Sequence, residues 1–263
     1  MVAPCLVGVI HLLPLAGSPR FSGNVGDAIR AAAADARALA DAGFDRMMIE
    51  NFGDAPFLPG RVAAATVSAM TACAIAAREA APRLPLGINV LRNDADAALA
   101  IAQTVLAVCV RVNVHTGARV TDQGVIEGDA GRTLRTRRSL GAEGVAIWAD
   151  VDVKHSAPLA PRPIEEEARE VVGRGLASVV LVTGEGTGRA VDAVKLERVR
   201  QAVDVPVLVA SGATAESLAA LAPFCDGVIV GSALRADGTA GGPIDPGRAS
   251  AFASSFRRAF LAR

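Results

Sequence analysis

Eight times along this 263-residue chain a short β-rich run is followed by an alanine-rich stretch of helical character. The runs cover 6–11, 44–50, 84–90, 107–114, 144–152, 177–182, 205–211 and 226–230. The helical stretches cover about 26–42, 61–80, 94–104, 128–139, 163–174, 190–202, 214–221 and 246–261. Many runs are apolar throughout rather than alternating, the pattern of parallel strands covered on both faces. Ala42-Gly43 and Arg174-Gly175 end two helices, where glycine supplies a left-handed cap. Eight such units in a chain of this length predict an α/β fold, a (β/α)8 TIM barrel, formed by 1–263 as one domain. The rival is an open doubly wound sheet, which usually carries G-x-G-x-x-G after its first strand. His11-Leu-Leu-Pro-Leu-Ala-Gly17 lacks that signature, as does every other loop.

The core must come from alanine, valine and leucine, because 51% of residues are apolar but only 3% are aromatic and tyrosine is absent. With 27 basic and 27 acidic residues the chain has no net charge to attract nucleic acid. Its densest basic stretch, 132–138, has helical spacing and reads as a solvated face. Cys5, Cys73, Cys109 and Cys225 are scattered in apolar segments without metal-ligand spacing, which predicts buried thiols and a cytoplasmic protein. The most helical apolar stretch, 62–77, falls short of the ~20 residues a transmembrane helix needs. The apolar content is compatible with a homo-oligomer.

In a barrel of this kind functional residues follow the C-terminal ends of the strands. Strand one ends at His11, strand two at Glu50 and Asn51 with Asp54 beyond, and strand three at Asn89, Arg92, Asn93 and Asp94. Strand four ends at Arg111 and Asn113, then a long loop containing Thr121-Asp122-Gln123-Gly124. Strand five runs into Asp150-Val-Asp152-Val-Lys154-His155. Strand alternation would put Asp150, Asp152 and Lys154 on one face. Lys154 stands out because Lys195 is the only other lysine, and a lysine, unlike an arginine, can lose its proton when buried. Lys195 itself reads as a residue on the polar face of a helix.

The last three units end differently, in Thr183-Gly184 with Gly188, in Ser211-Gly212 and in Gly231-Ser232. Small residues let backbone N–H groups approach an anion, and the loops after strands seven and eight are the usual phosphate site of this fold. A phosphate-binding barrel is therefore expected, with a phosphorylated small molecule as ligand. Its reacting end would face Lys154, Asp152, Asp150, Glu50, Asn89 and His155, with His11, Asn51, Asp54, Arg92, Asn93, Arg111, Asn113 and Asp122 contacting the rest. Carboxylates beside an amine suit proton abstraction next to a carbonyl, or cleavage through an imine. A divalent cation such as Mg²⁺ is a candidate cofactor, because His11, Glu50, Asp152 and His155 could supply ligands.

Long motifs carry a resemblance over nearly the whole chain. They are Gly8-Val-Ile-His-Leu-Leu-Pro-Leu15, Glu50-Asn-Phe-Gly-Asp54, Gly87-Ile-Asn-Val-Leu-Arg-Asn-Asp94, Arg111-Val-Asn113 and Thr121-Asp-Gln-Gly124. Ala149-Asp-Val-Asp-Val-Lys-His155, Thr183-Gly184, Thr187-Gly188 and Val230-Gly231 continue the series. With these the chain resembles the BtpA/SgcQ family, with Ala16 as a small departure where a proline is commoner. The resemblance implies a ribulose-phosphate-binding type of barrel and no settled reaction. One branch is named for photosystem I biogenesis; the other is linked with sugar-related gene clusters. An enzyme, a non-catalytic assembly factor for a membrane complex and a metal-dependent hydrolase are the readings this leaves.

Overall fold

The computed structural model describes residues 3–184 and 191–261. In chain order its first strands are β1 (Cys5–His11), β2 (Arg46–Glu50), β3 (Leu86–Asn89), β4 (Cys109–Val112), β5 (Ala118–Thr121) and β6 (Gly124–Glu127). They are followed by β7 (Ala146–Val151), β8 (Ser156–Pro158), β9 (Val179–Val182), β10 (Val207–Val209) and β11 (Gly227–Val230). The helices are α1 (Val25–Asp41), α2 (Ala64–Ala80), α3 (Ala95–Val105), α4 (Ala130–Ser139), α5 (Ile164–Gly173), α6 (Ala193–Ala202), α7 (Leu218–Leu221) and α8 (Pro246–Leu261). Eight strands close into a parallel barrel in the order β1-β11-β10-β9-β7-β4-β3-β2. Each barrel strand falls within one of the eight runs read from the sequence, or within a residue of it.

The barrel separates two cores by strand alternation. Val7, Val9, Met48, Cys109, Trp148, Leu181, Leu208 and Ile229 point inward and pack together. Their neighbours Leu6, Ile10, Met47, Ile49, Ile88, Val110, Ile147 and Val180 face the helices. Gly87 leaves the room that Met48 fills; a Cβ there would lie 2.8 Å from Cys109 Sγ and 2.9 Å from Met48 Cε. Side chains start the helices as their sequence suggests: Asn24, Asp94, Asp129 and Asp192 each accept a backbone N–H of the first turn.

Two elements differ from the sequence reading. The loop after β4 is a hairpin, β5 and β6, turning at Asp122-Gln123 with Gly124 at φ 100°. β8 joins it to make a three-stranded antiparallel sheet beside the barrel mouth. The seventh helix shrinks to one turn, because Thr214 and Ser217 bond each other's backbone and hold 214–217 as a turn. Among the described residues no helix is long and apolar enough to cross a membrane.

Candidate functional site

At the C-terminal mouth the inward positions turn polar. Register puts His11 beside Glu50, Glu50 beside Asn89 and Asn89 beside Arg111 across four neighbouring strands. Parallel partners project to the same side, so four separated motifs form one layer inside the barrel. Glu50, Asn89 and Arg111 are all nearly inaccessible, at 6%, 1% and 5% exposure. On β7 register puts Trp148 beside Arg111, and Asp150, the next inward position, braces the layer from above. Its carboxylate accepts Arg111 Nε at 3.0 Å, a second guanidinium nitrogen at 2.9 Å and Asn113 Nδ2 at 2.7 Å. That bidentate pair aims the Arg111 guanidinium and leaves Asp150 engaged. Asn89 donates to the Arg111 carbonyl and to Asn113 Oδ1, while its own Oδ1 has no partner.

Two cavities meet at this layer. The smaller is lined by His11, Glu50, Arg111 and Lys154 on one side and by Ser211, Gly212, Gly231 and Ser232 on the other. The larger is lined by the same Glu50, Arg111 and Lys154 together with Phe52, Phe57, Arg92, Asp122 and His155. Lys154 stands where they join. Burial pushes its ammonium below the usual lysine range and Arg111 adds to this, while Glu50 and Asp150 act against it. Glu50 makes no side-chain hydrogen bond and no ion pair with any described residue, so its carboxylate is available to an occupant.

His11 is fixed from both sides. Gly241 N–H donates to its Nδ1 at 3.3 Å, and the Phe52 ring lies 4.5 Å away between centroids. Burial, then the charges of Arg235 and Lys154, hold its pKa well below the ordinary histidine value. The ring is thus neutral at pH 7, and with Nδ1 accepting, Nε2 carries the proton. Gly231 is the residue that admits it; a Cβ there would lie 2.8 Å from His11 Cε1. Across the small cavity the N–H groups of Gly212 and Ala213 meet no acceptor among the described residues.

Asp152 is a correction to the sequence reading. β7 ends at Val151 and Asp152 has φ 57°, in the left-handed region, so alternation does not continue to Lys154. Its carboxylate instead pairs with Arg119 of the hairpin and with Lys195 of α6, and lines a third cavity away from Lys154. Lys195 is therefore an ion-pair partner rather than a purely solvated residue. His155, also left-handed, lies exposed at the rim of the larger cavity. The four residues suggested as metal ligands do not converge, and among the described residues no group of three His, Cys, Asp or Glu side chains could hold a metal ion.

Several polar residues expected to touch ligand serve the frame. Asn51 bonds both the N–H and the carbonyl of Leu91, and Asp54 accepts the Leu15 N–H at 2.8 Å. Asn93 clasps both backbone groups of Val114. Thr183 is fully buried and its hydroxyl donates to the Asp152 carbonyl at 3.0 Å. Neither Thr183 nor Gly184 lines the small cavity, and Gly188 lies outside the described residues.

Arg235 was not singled out from the sequence, yet it is 1% exposed and pins the cradle from below. It donates to the carbonyls of Val9, Gly231 and Gly242, each at 3.0 Å, and faces Asp35 of α1 at 3.8 Å. Asp35 on the apolar stripe of an alanine-rich helix is the signal that could have revealed it, because a buried carboxylate needs a partner. His115, equally unforeseen, bonds the Gly175 carbonyl at 2.8 Å and joins the end of β4 to the end of α5.

The fold is shared with solved TIM barrels. Thiamine phosphate pyrophosphorylase from Pyrococcus furiosus superposes with a TM-score of 0.60 at 13% identity, covering 97% of this chain and 96% of that one. N-(5'-phosphoribosyl)anthranilate isomerase from the same organism gives 0.56 at 15% identity, covering 97% and 99%. In sequence the chain is 45% identical over 248 residues to the photosystem I biogenesis protein BtpA of Synechocystis sp., covering 94% of this chain and 86% of that protein. It is 42% identical over 244 residues to an uncharacterized protein of Methanocaldococcus jannaschii, covering 93% and 92%. Residues 3–258 match the BtpA family, and the chain belongs to it.

Proposed function

We propose that this protein is an enzyme acting on a phosphorylated, sugar-phosphate-like metabolite by lyase or isomerase chemistry. The carrying observation is that Lys154 and the unengaged Glu50 share the wall between two cavities, one of which ends in bare backbone N–H groups. Phosphate binds at Ser211, Gly212, Gly231 and Ser232, where main-chain amides and the neutral His11 Nε2–H supply donors. Lys154 acts at the carbon beyond. Its lowered pKa makes the free amine accessible for taking a proton next to a carbonyl, or for attacking that carbonyl to form an imine with loss of water. In the first case the electron pair moves to the carbonyl oxygen, which the Arg111 guanidinium, held by Asp150, stabilises. The Lys154 ammonium so formed passes that proton to the Glu50 carboxylate, which delivers it to the neighbouring carbon or oxygen and is left as a carboxylate again.

A thermal-shift screen of sugar phosphates and nucleotides, with and without Mg²⁺, should yield a compound that stabilises the protein specifically. Turnover of that compound should fall by at least ~100-fold in Lys154→Ala, within the range for loss of an acid–base group. Full turnover in that variant removes the proposed role. Borohydride trapping of a ligand adduct on Lys154, read by mass spectrometry, separates the imine route from the proton-transfer route.

A second reading, an assembly or biogenesis factor without turnover, is favoured by the name of the Synechocystis relative. It requires that a strain lacking the gene be rescued equally by the wild-type and Lys154→Ala proteins.

A further inference from the structure

The larger cavity holds a cation that the chemistry above leaves unused. Arg92 is 4% exposed, lines that cavity, and has one guanidinium nitrogen on the Lys154 carbonyl at 2.9 Å. Its buried Nε has no partner. Among the described residues no carboxylate stands within ion-pair distance of it: Asp150 is occupied by Arg111 and Asn113, while Glu50 and Asp122 attract it from farther away. A guanidinium stays charged, so burying one with donors unmade is unfavourable until something anionic arrives. Glycines and bare amides account for one end of a ligand; Arg92 demands a second negative charge at the other.

The shape of the cavity limits what carries that charge. It measures ≈340 Å³ against ≈40 Å³ for the small cavity, so it takes the body of the ligand rather than its phosphate. Phe52 and Phe57, with ring centroids 6.5 Å apart, and Leu91 wall it with carbon. A planar fork of N–H donors beside an apolar wall matches a carboxylate on a short carbon frame. Asp122, exposed at the tip of the β5–β6 hairpin, looks onto the same space and disfavours surplus negative charge there. We propose that the ligand is a phosphorylated carboxylic acid, its phosphate in the Ser211–Ser232 cradle, its carboxylate on Arg92, and the carbons between them beside Lys154 and Glu50. This rests on the phosphate reading above and adds the ligand's second charge.

The test is calorimetric titration of matched pairs against the intact chain. Phosphoglycolate, phosphoglycerate and phosphogluconate are compared with hydroxyethyl phosphate, glycerol phosphate and sorbitol phosphate, and inorganic phosphate probes the cradle alone. At least one acid should bind about tenfold or more tightly than its alcohol, as expected for a charge-assisted bidentate contact. Arg92→Gln should abolish that preference while leaving the inorganic phosphate affinity within about twofold. Asp122→Asn, a change at an exposed hairpin tip that spares the core, should widen it. The proposal is overturned if no acid exceeds its alcohol, or if Arg92→Gln leaves the preference unchanged. If inorganic phosphate, alcohols and acids all fail to bind, the phosphate reading itself is wrong and this inference falls with it.

Discussion

Whether Lys154 acts as a base depends on competition between burial, which strips water from its ammonium, and Glu50, which favours the charge. Burial wins, so its titration midpoint should fall below that of an exposed lysine. The chain makes this measurable, since Lys154 and Lys195 are its only lysines and two labelled resonances report both sites. Glu50→Gln removes the largest opposing influence and should lower the Lys154 midpoint further; a rise would show that Glu50 does not face it. His11 gives a second titration of known sign. Its folded pKa lies well below the ordinary value, so below pH ~6.5 the unfolded chain binds a proton that the folded chain refuses. Stability is then full above about pH 6.5 and declines as pH falls through that range, with His115 contributing in the same direction. Denaturant midpoints measured from pH 7 downward should show the decline, and His11→Gln should make it shallower. An unchanged slope would mean that the ring is not held neutral.

At the level of the element, the hairpin and the end of β7 decide which side chains serve chemistry and which hold the mouth together. Asp152, Arg119 and Lys195 tie β7, the hairpin and α6 into one ion-paired junction, with Glu167 of α5 at 3.5 Å from Arg119. Asp152→Asn should cost about 1–3 kcal/mol, because Arg119 is buried and loses a charged acceptor. It should leave inorganic phosphate affinity within about twofold, since the carboxylate lines neither the small nor the larger cavity. Glu50→Gln should do the reverse, sparing stability and removing turnover, so the two variants separate junction from site. The contrast also shows where sequence reasoning succeeds. Strand ends follow from apolar runs, so the polar residues at or next to a strand's end (His11, Glu50, Asn89 and Arg111) can be assigned to one mouth from the sequence. Beyond the last ladder bond that logic lapses. Asp152 leaves the alternation through a left-handed backbone that no residue pattern announces, and Arg119 belongs to a hairpin hidden in a polar stretch. Period two does not announce that hairpin, because Val125 and Ile126 are adjacent apolar residues and Arg119, not Val120, is the buried residue of its first strand. Framework asparagines such as Asn51 and Asn93 share the residue type of ligand contacts, and only their partners tell them apart.

For the molecule as a whole, a barrel has no free edge only if its last unit closes onto its first, and α8 helps to close that seam. It packs against α1 on one side and α7 on the other. Phe252, Phe256 and Phe260 recur at four-residue spacing on its buried face, three of the chain's eight phenylalanines, and the last two stack with centroids 4.3 Å apart. Arg257 from the same helix reaches Asp45 at the start of β2, whose carboxylate also accepts the Leu6 N–H of β1 at 2.7 Å. The seam thus joins residues more than two hundred positions apart, and Arg235 crosses it again beneath the cradle. If residues 1–263 are one domain, as the uniform repeat of units suggests, weakening this seam should lower the stability of everything at once. Phe256→Ala empties a fully buried site and should cost about 3–5 kcal/mol. The loss should appear as an earlier midpoint of a single denaturant transition, with fluorescence of Trp148 inside the barrel and far-ultraviolet circular dichroism moving together. Two separated transitions would mean that α8 and the first units unfold apart from the rest, and the one-domain reading would have to be given up.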